Sequence, residues 1–303
     1  MSQPPHPWAP AALLLLLGFV WGSSFILMKA GLFATDGSPL FPARELAALR
    51  IAIAGTVLFP ISIKHFRSIH RKSWLPISVV GLIGSLIPAL LFAQAQTEIP
   101  SALAGMLNAL SPIWTLLIAF VVFGVKVARG QILGILIGFI GATMLVASQG
   151  IRRSLFTFED AIPALMLVFA TLCYGISVNT VRERLSHLRS YVISAISLGL
   201  VALPAWLYVL NSDLPDLVMT HPDAPKGLLA IFVLGAVGTA GALVLFNSLI
   251  QWTNALVAAS VTYIIPVFAT LWGIWDGEHI HPGQIAGGLV ILIGVWVTNR
   301  KKR

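Results

Sequence analysis

Two prolines place polar groups where a solute could bind. Asn108 stands four residues before Pro112, and Thr262 stands four residues before Pro266. Because proline has no N–H, the carbonyl of the residue four positions earlier in a helix loses its hydrogen-bond donor. Each site then offers a freed carbonyl beside a polar side chain, which suits hydrogen bonding to a solute. The alternative is a kinked packing helix whose carbonyl is capped by a neighbouring group.

Aromatic residues and serines form a second candidate group. They lie well inside long apolar stretches rather than at the ends, where aromatics of membrane proteins are usual. In two places a serine follows an aromatic residue by three positions, a spacing that puts both on one face of a helix. The predicted wall of a solute site comprises Trp21, Ser24, Trp114, Tyr174, Ser177 and Tyr263. The alternative is that the aromatics only pack against small neighbours.

Three charged residues, Lys29, Glu45 and Arg50, lie inside or beside the first two apolar stretches. Charge in such surroundings is costly and is usually paired or functional. We expect an outer charge network in which Glu45 pairs with Arg50, and Glu45 or Asp36 with Lys29. The alternatives are that Lys29 extends outward to the membrane surface and that these residues contact a solute. No Asp or Glu lies near the middle of an apolar stretch. The sequence therefore favours an anionic or zwitterionic solute over a cation and offers no clear proton relay.

The sequence gives little support for metal binding, disulfides, phosphate binding or catalysis. The segment 276–281 combines two carboxylates with two histidines, but it lies in a short connection, so we expect a solvated turn and no metal. A single cysteine, Cys173, excludes an intramolecular disulfide framework and a cysteine-based metal cluster. No phosphate-binding glycine motif stands between a strand and a helix, and no Ser/His/Asp set can be argued. The sequence predicts neither a cofactor nor an enzyme.

The composition shows which elements must position these residues. Of the 303 residues, 57% are hydrophobic and only 10% are charged, with a mean hydropathy of +0.91. Soluble domains carry about 25% charged residues, so this composition excludes a soluble enzyme and a disordered protein. A membrane-spanning helix needs about 20 mostly apolar residues, and ten stretches meet this requirement. They are 10–33, 44–63, 74–95, 100–123, 129–148, 159–181, 190–210, 226–250, 254–275 and 282–299.

The charge distribution predicts how these stretches are oriented. Lys and Arg concentrate in the loops and tail on the side of the N-terminus, whereas acidic residues concentrate on the other side. By the positive-inside rule both termini are cytoplasmic. The net charge of +8 is thus mainly a topology signal. Nucleic-acid binding is not expected, because the basic loops are short and lack interleaved aromatic residues.

The chain contains an internal repeat. Gly130-Gln131-Ile132 and the residues after it recur about 153 positions later as Gly283-Gln284-Ile285. The two copies occupy 10–148 and 159–299, and each holds five apolar stretches. Since five is odd, the second copy enters the membrane from the opposite side. This is the inverted-topology architecture of many secondary transporters, with a solute site near the bilayer midplane where the copies meet.

With these features the chain resembles the drug/metabolite transporter superfamily, in the ten-span group built of two EamA-type repeats. The resemblance rests on Trp21-Gly22-Ser23-Ser24-Phe25 with Lys29 and Arg50, and on the Pro-then-Gly-Gln segments 112–134 and 266–287. The second copy also has Gly277-Glu278 ahead of Gln284, as the family pattern expects. The first copy departs from the pattern, because Val125 stands where a glutamate is usual.

The expected fold is therefore an all-α integral membrane protein of ten transmembrane helices in two inverted five-helix repeats. The resemblance implies transport without ATP, and the leading prediction is secondary export of amino acids or other small metabolites across a cytoplasmic (inner) membrane. Its partners would be the metabolite and membrane lipid. The alternatives are import or exchange of a nucleotide-sugar-like or nucleoside-like solute, drug efflux, an integral membrane enzyme and a purely structural subunit. Facilitated transport or exchange is favoured over proton coupling.

Overall fold

Helices account for nearly all regular structure in the described residues. The computed structural model describes residues 6, 8–150, 158–253, 258 and 261–299. Within these residues the β-structure is limited to an isolated bridge between Phe33 and Pro39, and ten long helical segments are present. They are α1 (Ala9–Leu32), α2 (Ala43–Phe66), α3 (Arg71–Ala95), α4 (Ser101–Phe123), α5 (Arg129–Gly150), α6 (Phe158–Arg184), α7 (Ser190–Leu210), α8 (Ala224–Trp252), α9 (Val261–Trp275) and α10 (Pro282–Asn299). A short helix, Leu214–Thr220, joins α7 to α8.

Seven of these helices are long and apolar enough to cross a membrane by length and composition, namely α1 to α4 and α6 to α8. The apolar parts of α5, α9 and α10 are shorter. Every predicted stretch coincides with a helix, although 254–257, 259 and 260 at the start of the ninth stretch lie outside the described residues. Large apolar side chains such as Leu75 and Leu203 cover much of the outer surface, which suits a lipid environment rather than water. The prediction of an all-helical membrane protein is confirmed.

The helices pack in a pattern that recurs between the two copies. Helix α1 contacts α8 and α9 of the second copy, and its counterpart α6 contacts α3 and α4 of the first copy. Helix α2 packs against its counterpart α7, and α5 packs against α10. Each contact therefore has its equivalent when the copies are exchanged. The core lies along these contacts between the copies.

Both α3 and α8 contain a π-helical turn at equivalent positions, Leu82–Leu86 and Ala236–Gly241. In each turn a hydroxyl group donates to the carbonyl five residues earlier. The Ser85 hydroxyl donates to Val80 over 3.4 Å. The Thr239 hydroxyl donates to Leu234 over 2.9 Å. Such turns are frequent at functional sites because they redirect the side chains of a helix.

Glycines in these turns let the copies approach each other closely. A Cβ atom on Gly84 would lie 2.1 Å from the Ser177 hydroxyl oxygen, and one on Gly238 would lie 3.1 Å from that of Ser24. Small residues allow this approach of membrane helices. The predicted serines of α1 and α6 are thereby held against the opposite copy.

Candidate functional site

A cavity of about 150 Å³ lies between the two copies. Its walls come from α1, α2, α3, α4, α6, α8 and α9. Most of the lining is apolar, with a small number of hydroxyl, amide and charged groups. Pockets with this composition are typical of sites for small molecules, in which the apolar wall gives contact area and the polar groups fix orientation.

The structure brings most of the predicted site residues together. Six of the eight side chains line this one cavity: Trp21, Ser24, Asn108, Tyr174, Ser177 and Thr262. They form three equivalent pairs, one member from each copy. The sequence-based grouping therefore corresponds to a real cluster in space.

Trp114 and Tyr263 lie outside this lining. The Trp114 ring packs edge-on against Phe139 of α5, with the ring centres 5.0 Å apart. Its backbone lies against Gly175 of α6. Tyr263 is half-buried and packs against the apolar core. The two aromatics therefore contact the packed helices rather than the lining of this cavity.

Aromatic pairs on opposite walls link the copies. The Trp21 ring lies 4.9 Å from the Phe246 ring, edge to face, and the Trp21 indole N–H donates to the Gly238 carbonyl over 3.0 Å. The Tyr174 ring lies 6.1 Å from the Phe92 ring in a stacked arrangement. Such ring pairs are stable in these geometries. Each pair takes one ring from each copy, so the walls are built the same way on both sides.

Asn108 and Thr262 belong to the polar part of the cavity wall. Both residues are more than 90% buried, with 8% and 5% of their surface exposed. The carbonyl prediction is wrong for Asn108, because the Ser111 hydroxyl donates to that carbonyl over 2.8 Å. Helix α4 is broken there into Ser101–Asn108 and Ser111–Phe123. The proline thus breaks the helix, and a local hydroxyl satisfies the carbonyl that it frees.

The predicted outer charge network does not form. Lys29 pairs with Asp276 and Glu278 rather than with Glu45. The carboxylate of Glu45 accepts a hydrogen bond from the Tyr208 hydroxyl rather than from Arg50. The physical reason is that the turn after α9 folds over the end of α1 and supplies carboxylates closer to Lys29.

Arg50 faces the cavity instead. Its Nε–H donates to the hydroxyl oxygen of Thr239, 2.7 Å away in the π-helical turn of α8. Arg50 is therefore placed where it could contact a solute in the cavity, which is the alternative that the sequence analysis left open. The sequence analysis did not identify Thr239 as a site residue, although a hydroxyl group inside a long apolar stretch indicates a candidate for the cavity lining.

Glu278 is not part of a solvated turn, contrary to the sequence-based expectation. Its side chain is 5% exposed, and its carboxylate accepts from the Ser101 N–H at 2.9 Å and the Ala102 N–H at 3.1 Å. It also accepts from the Lys29 ammonium at 3.2 Å. A carboxylate at the N-terminus of a helix satisfies free N–H groups and interacts well with the helix dipole. Glu278 thus joins α1, α4 and the turn after α9.

Across the described residues, no group of three or more His, Cys, Asp or Glu side chains could hold a metal ion.

Asn247 is a second lining residue that the sequence analysis overlooked. Its amide donates to the Ser194 hydroxyl of α7 over 2.9 Å, and both residues are buried. An amide within a predicted membrane stretch is a signal that could have found it. Its position extends the polar part of the cavity toward α7.

Comparison with known proteins agrees with this architecture. The model of the EamA-like transporter family matches residues 8–147 and again residues 161–300. The chain belongs to the EamA-like transporter family. It is a multi-pass membrane protein, and the names of the family and of the relatives below are those of transporters rather than enzymes.

Similar proteins of this family carry names that refer to small metabolites. A "probable terminal-alkyne amino-acid exporter" of Streptantibioticus cattleyicolor is 24% identical over 95% of this chain and 92% of its own length. An S-adenosylmethionine/S-adenosylhomocysteine transporter of Chlamydia muridarum is 24% identical over 92% of this chain and 88% of its own length. The pseudopaline exporter CntI of Pseudomonas aeruginosa is 26% identical over 95% of this chain and 96% of its own length.

A solved structure, described only as the crystal structure of a protein, shares the fold. Its TM-score is 0.62 at 19% identity, over 97% of this chain and 98% of that one. The overall arrangement of the helices is therefore one already seen in a solved protein.

Proposed function

We propose that this member of the EamA-like transporter family is a secondary transporter that moves a small metabolite by alternating access, with the cavity as its binding site. One observation carries the proposal: equivalent residues of the two copies line the same cavity. A site shared in this way can be exposed to one side or the other as the copies rock around it. The equivalent pairs are Trp21 with Tyr174, Ser24 with Ser177, and Asn108 with Thr262.

The membrane arrangement we propose has ten crossings, with both termini on the cytoplasmic side of the inner membrane and five crossings in each copy, 10–148 and 159–299. The excess of Lys and Arg in the loops on one side supports the orientation. The exchange of equivalent helix contacts between the copies supports an inverted repeat. The short apolar parts of α5, α9 and α10 fit crossings in which flanking residues reach the interface or the bilayer thins locally.

The substrate we propose is an amino acid or a similar small anionic or zwitterionic metabolite, and the direction is export. The relatives named as exporters of an amino acid and of pseudopaline support this class. The lining supports it as well, because its one charged side chain among the described residues is the cation Arg50. A cationic solute would need a carboxylate in the wall to replace its hydration.

Substituting the paired polar residues tests the site. Asn108→Leu and Thr262→Val, each in purified protein reconstituted into liposomes, should lower the flux of the transported solute roughly tenfold, the effect of losing about 1.4 kcal/mol of hydrogen bonding. The measurement is uptake from a panel of labelled amino acids, other carboxylates and S-adenosylmethionine. Expression and melting temperature should change far less than flux.

Matched controls exist outside the cavity. Asn211→Leu and Thr143→Val make the same chemical changes at exposed positions and should leave flux within about twofold, since exposed substitutions usually cost less than about 0.5 kcal/mol. A loss of expression that parallels the loss of flux in Asn108→Leu and Thr262→Val would instead indicate helix packing. Wild-type protein that moves no member of the panel would contradict the proposed function.

A proton gradient should have little effect on flux. Among the described residues that line the cavity there is no Asp, Glu or His, and an arginine stays protonated at physiological pH. The measurement compares uptake with and without an imposed pH difference, with a protonophore as the control. Accumulation of the solute against its concentration gradient that depends on the pH difference would refute transport by a facilitator or exchanger.

A further inference from the structure

The guanidinium of Arg50 is the one cationic group among the described residues that line the cavity. Within the part of the chain that the structure describes, no carboxylate lies within ion-pair distance of it. Glu45, the nearest acidic residue along α2, accepts its hydrogen bond from Tyr208 instead. A cation that lacks a protein counter-ion in an apolar cavity is costly unless a ligand supplies the opposite charge.

The hydrogen bonding of Arg50 fixes which of its donors remain for a ligand. The Nε–H donates to the Thr239 hydroxyl oxygen over 2.7 Å, and the Thr239 hydroxyl in turn donates to the Leu234 carbonyl. This chain holds the plane of the guanidinium through its inner nitrogen. The N–H groups of the two terminal nitrogens form no hydrogen bond to a described residue. They form the planar fork that matches the two oxygens of a carboxylate.

The internal repeat argues against a purely structural role for Arg50. The position equivalent to Arg50 in the second copy is Ser197, because a Cβ atom on Gly235 would meet the Arg50 carbonyl oxygen and one on the equivalent Gly81 would meet the Ser197 carbonyl oxygen. The π-helical turn that faces α7 is Leu82–Leu86, and it forms without an arginine. The turn that Arg50 contacts, Ala236–Gly241, therefore does not need an arginine in order to form. The cation breaks the symmetry of the cavity, and a solute with one charged end is the partner that such asymmetry suits.

We propose that Arg50 binds a carboxylate group of the transported solute and selects carboxylates over the corresponding amides, with Thr239 positioning the guanidinium. The inference rests on the proposed function, because it takes the cavity as the transport site. A single arginine suits a monocarboxylate or an α-amino acid better than a dicarboxylate. The aromatic side chains of Trp21 and Phe246 line the same cavity and can receive the ammonium or the apolar end of an amino acid.

The test compares each acid with its own amide. Wild-type protein in liposomes is offered labelled α-amino acids, simple monocarboxylates and the carboxamides of both. We expect at least one acid to be carried and its amide to be carried at least tenfold less well, since hydrogen bonds to charged groups contribute about 1.5–3 kcal/mol. Amides carried as well as their acids, or a panel in which only uncharged or cationic solutes move, would overturn the role of Arg50 while leaving a transporter. If no solute moves, the proposed function fails and this inference fails with it.

Variants separate recognition from packing. Arg50→Gln should lower the flux of the acid about 10- to 100-fold and bring the ratio of acid to amide flux close to one. Arg50→Lys keeps the charge but loses the fork, so the ratio should take an intermediate value. Arg44→Gln removes an exposed arginine at the start of α2 and should leave both fluxes unchanged.

Thr239→Val keeps the assay informative if Arg50→Gln does not fold. This variant leaves the cation but removes the acceptor of its Nε–H, so the KM for the acid should rise more than the KM for the amide. Equal losses for acid and amide in both Arg50→Gln and Thr239→Val, together with a lower melting temperature, would assign Arg50 to packing and overturn the proposal.

Discussion

Replacing Glu278 with alanine is expected to destabilise the folded transporter by about 2–6 kcal/mol, because two backbone N–H groups lose their acceptor and each such loss costs about 1–3 kcal/mol. The Glu278 carboxylate is nearly buried and accepts from two backbone N–H groups at the start of α4 and from the Lys29 ammonium. Alanine would leave two N–H groups without an acceptor. It would also leave Lys29 with Asp276 as its remaining carboxylate.

Thermal unfolding in detergent measures this loss. Glu98→Ala is the matched control, since Glu98 is exposed, and it should cost no more than about 0.5 kcal/mol. Glu278→Gln keeps an acceptor oxygen for α4 but removes the charge, so its cost should lie between these two values. The Lys29→Ala and Glu278→Ala double-mutant cycle should show a coupling energy above about 0.5 kcal/mol. A Glu278→Ala protein as stable as Glu98→Ala would mean that the carboxylate does not hold α1 and α4 together.

Glu278 also shows where sequence reasoning stops. Its partners Ser101 and Lys29 lie 177 and 249 residues away along the chain, and nothing in the local pattern of a short polar turn identifies them. The family pattern of Gly277-Glu278 marked the position without giving its role. In the first copy Val125 stands at the equivalent position, so this ion-pair contact cannot recur there through the same side chain.

The elements themselves were predictable because lipid imposes simple requirements. A helix that crosses the hydrocarbon core needs a certain length of apolar residues. The ten apolar stretches of the sequence therefore each coincide with one of the long helices. The internal repeat then allowed residues in the two copies to be paired before any contact was known. Six of the eight candidate site residues line the cavity, and these six are the ones that the repeat pairs.

The two aromatics that do not line the cavity were chosen by their closeness to a proline in the sequence. Trp114 lies two residues after Pro112, and in a helix with 3.6 residues per turn two positions are about 200° apart. Pro112 lines the cavity, whereas the Trp114 ring packs against Phe139. Distance along the chain indicates depth in a membrane helix, whereas the face requires the helical angle to be counted.

Alanine in place of Gly294 is expected to disturb the packing of α10 on α5 at a cost of about 3 kcal/mol or more, the upper end for overpacked sites. A Cβ atom at this position would lie 2.4 Å from the Gly138 nitrogen and 2.7 Å from the Gly134 carbonyl oxygen. Both neighbours are backbone atoms of α5, which cannot turn aside as a flexible side chain can. The helices themselves would have to separate, and the packing along their length would weaken.

The repeat supplies a reciprocal test of this interface. Gly141 of α5 is equivalent to Gly294, and a Cβ atom on it would lie 2.6 Å from the Ile291 nitrogen and 2.8 Å from the Gly287 carbonyl oxygen of α10. Gly141→Ala should therefore lower the melting temperature about as much as Gly294→Ala. Gly130→Ala is the control, because its added Cβ would meet no atom of a neighbouring helix within 4 Å. Losses at Gly141 and Gly294 no larger than at Gly130 would mean that α5 and α10 tolerate a wider separation, and the recurrence of these glycines in both copies would then need another cause.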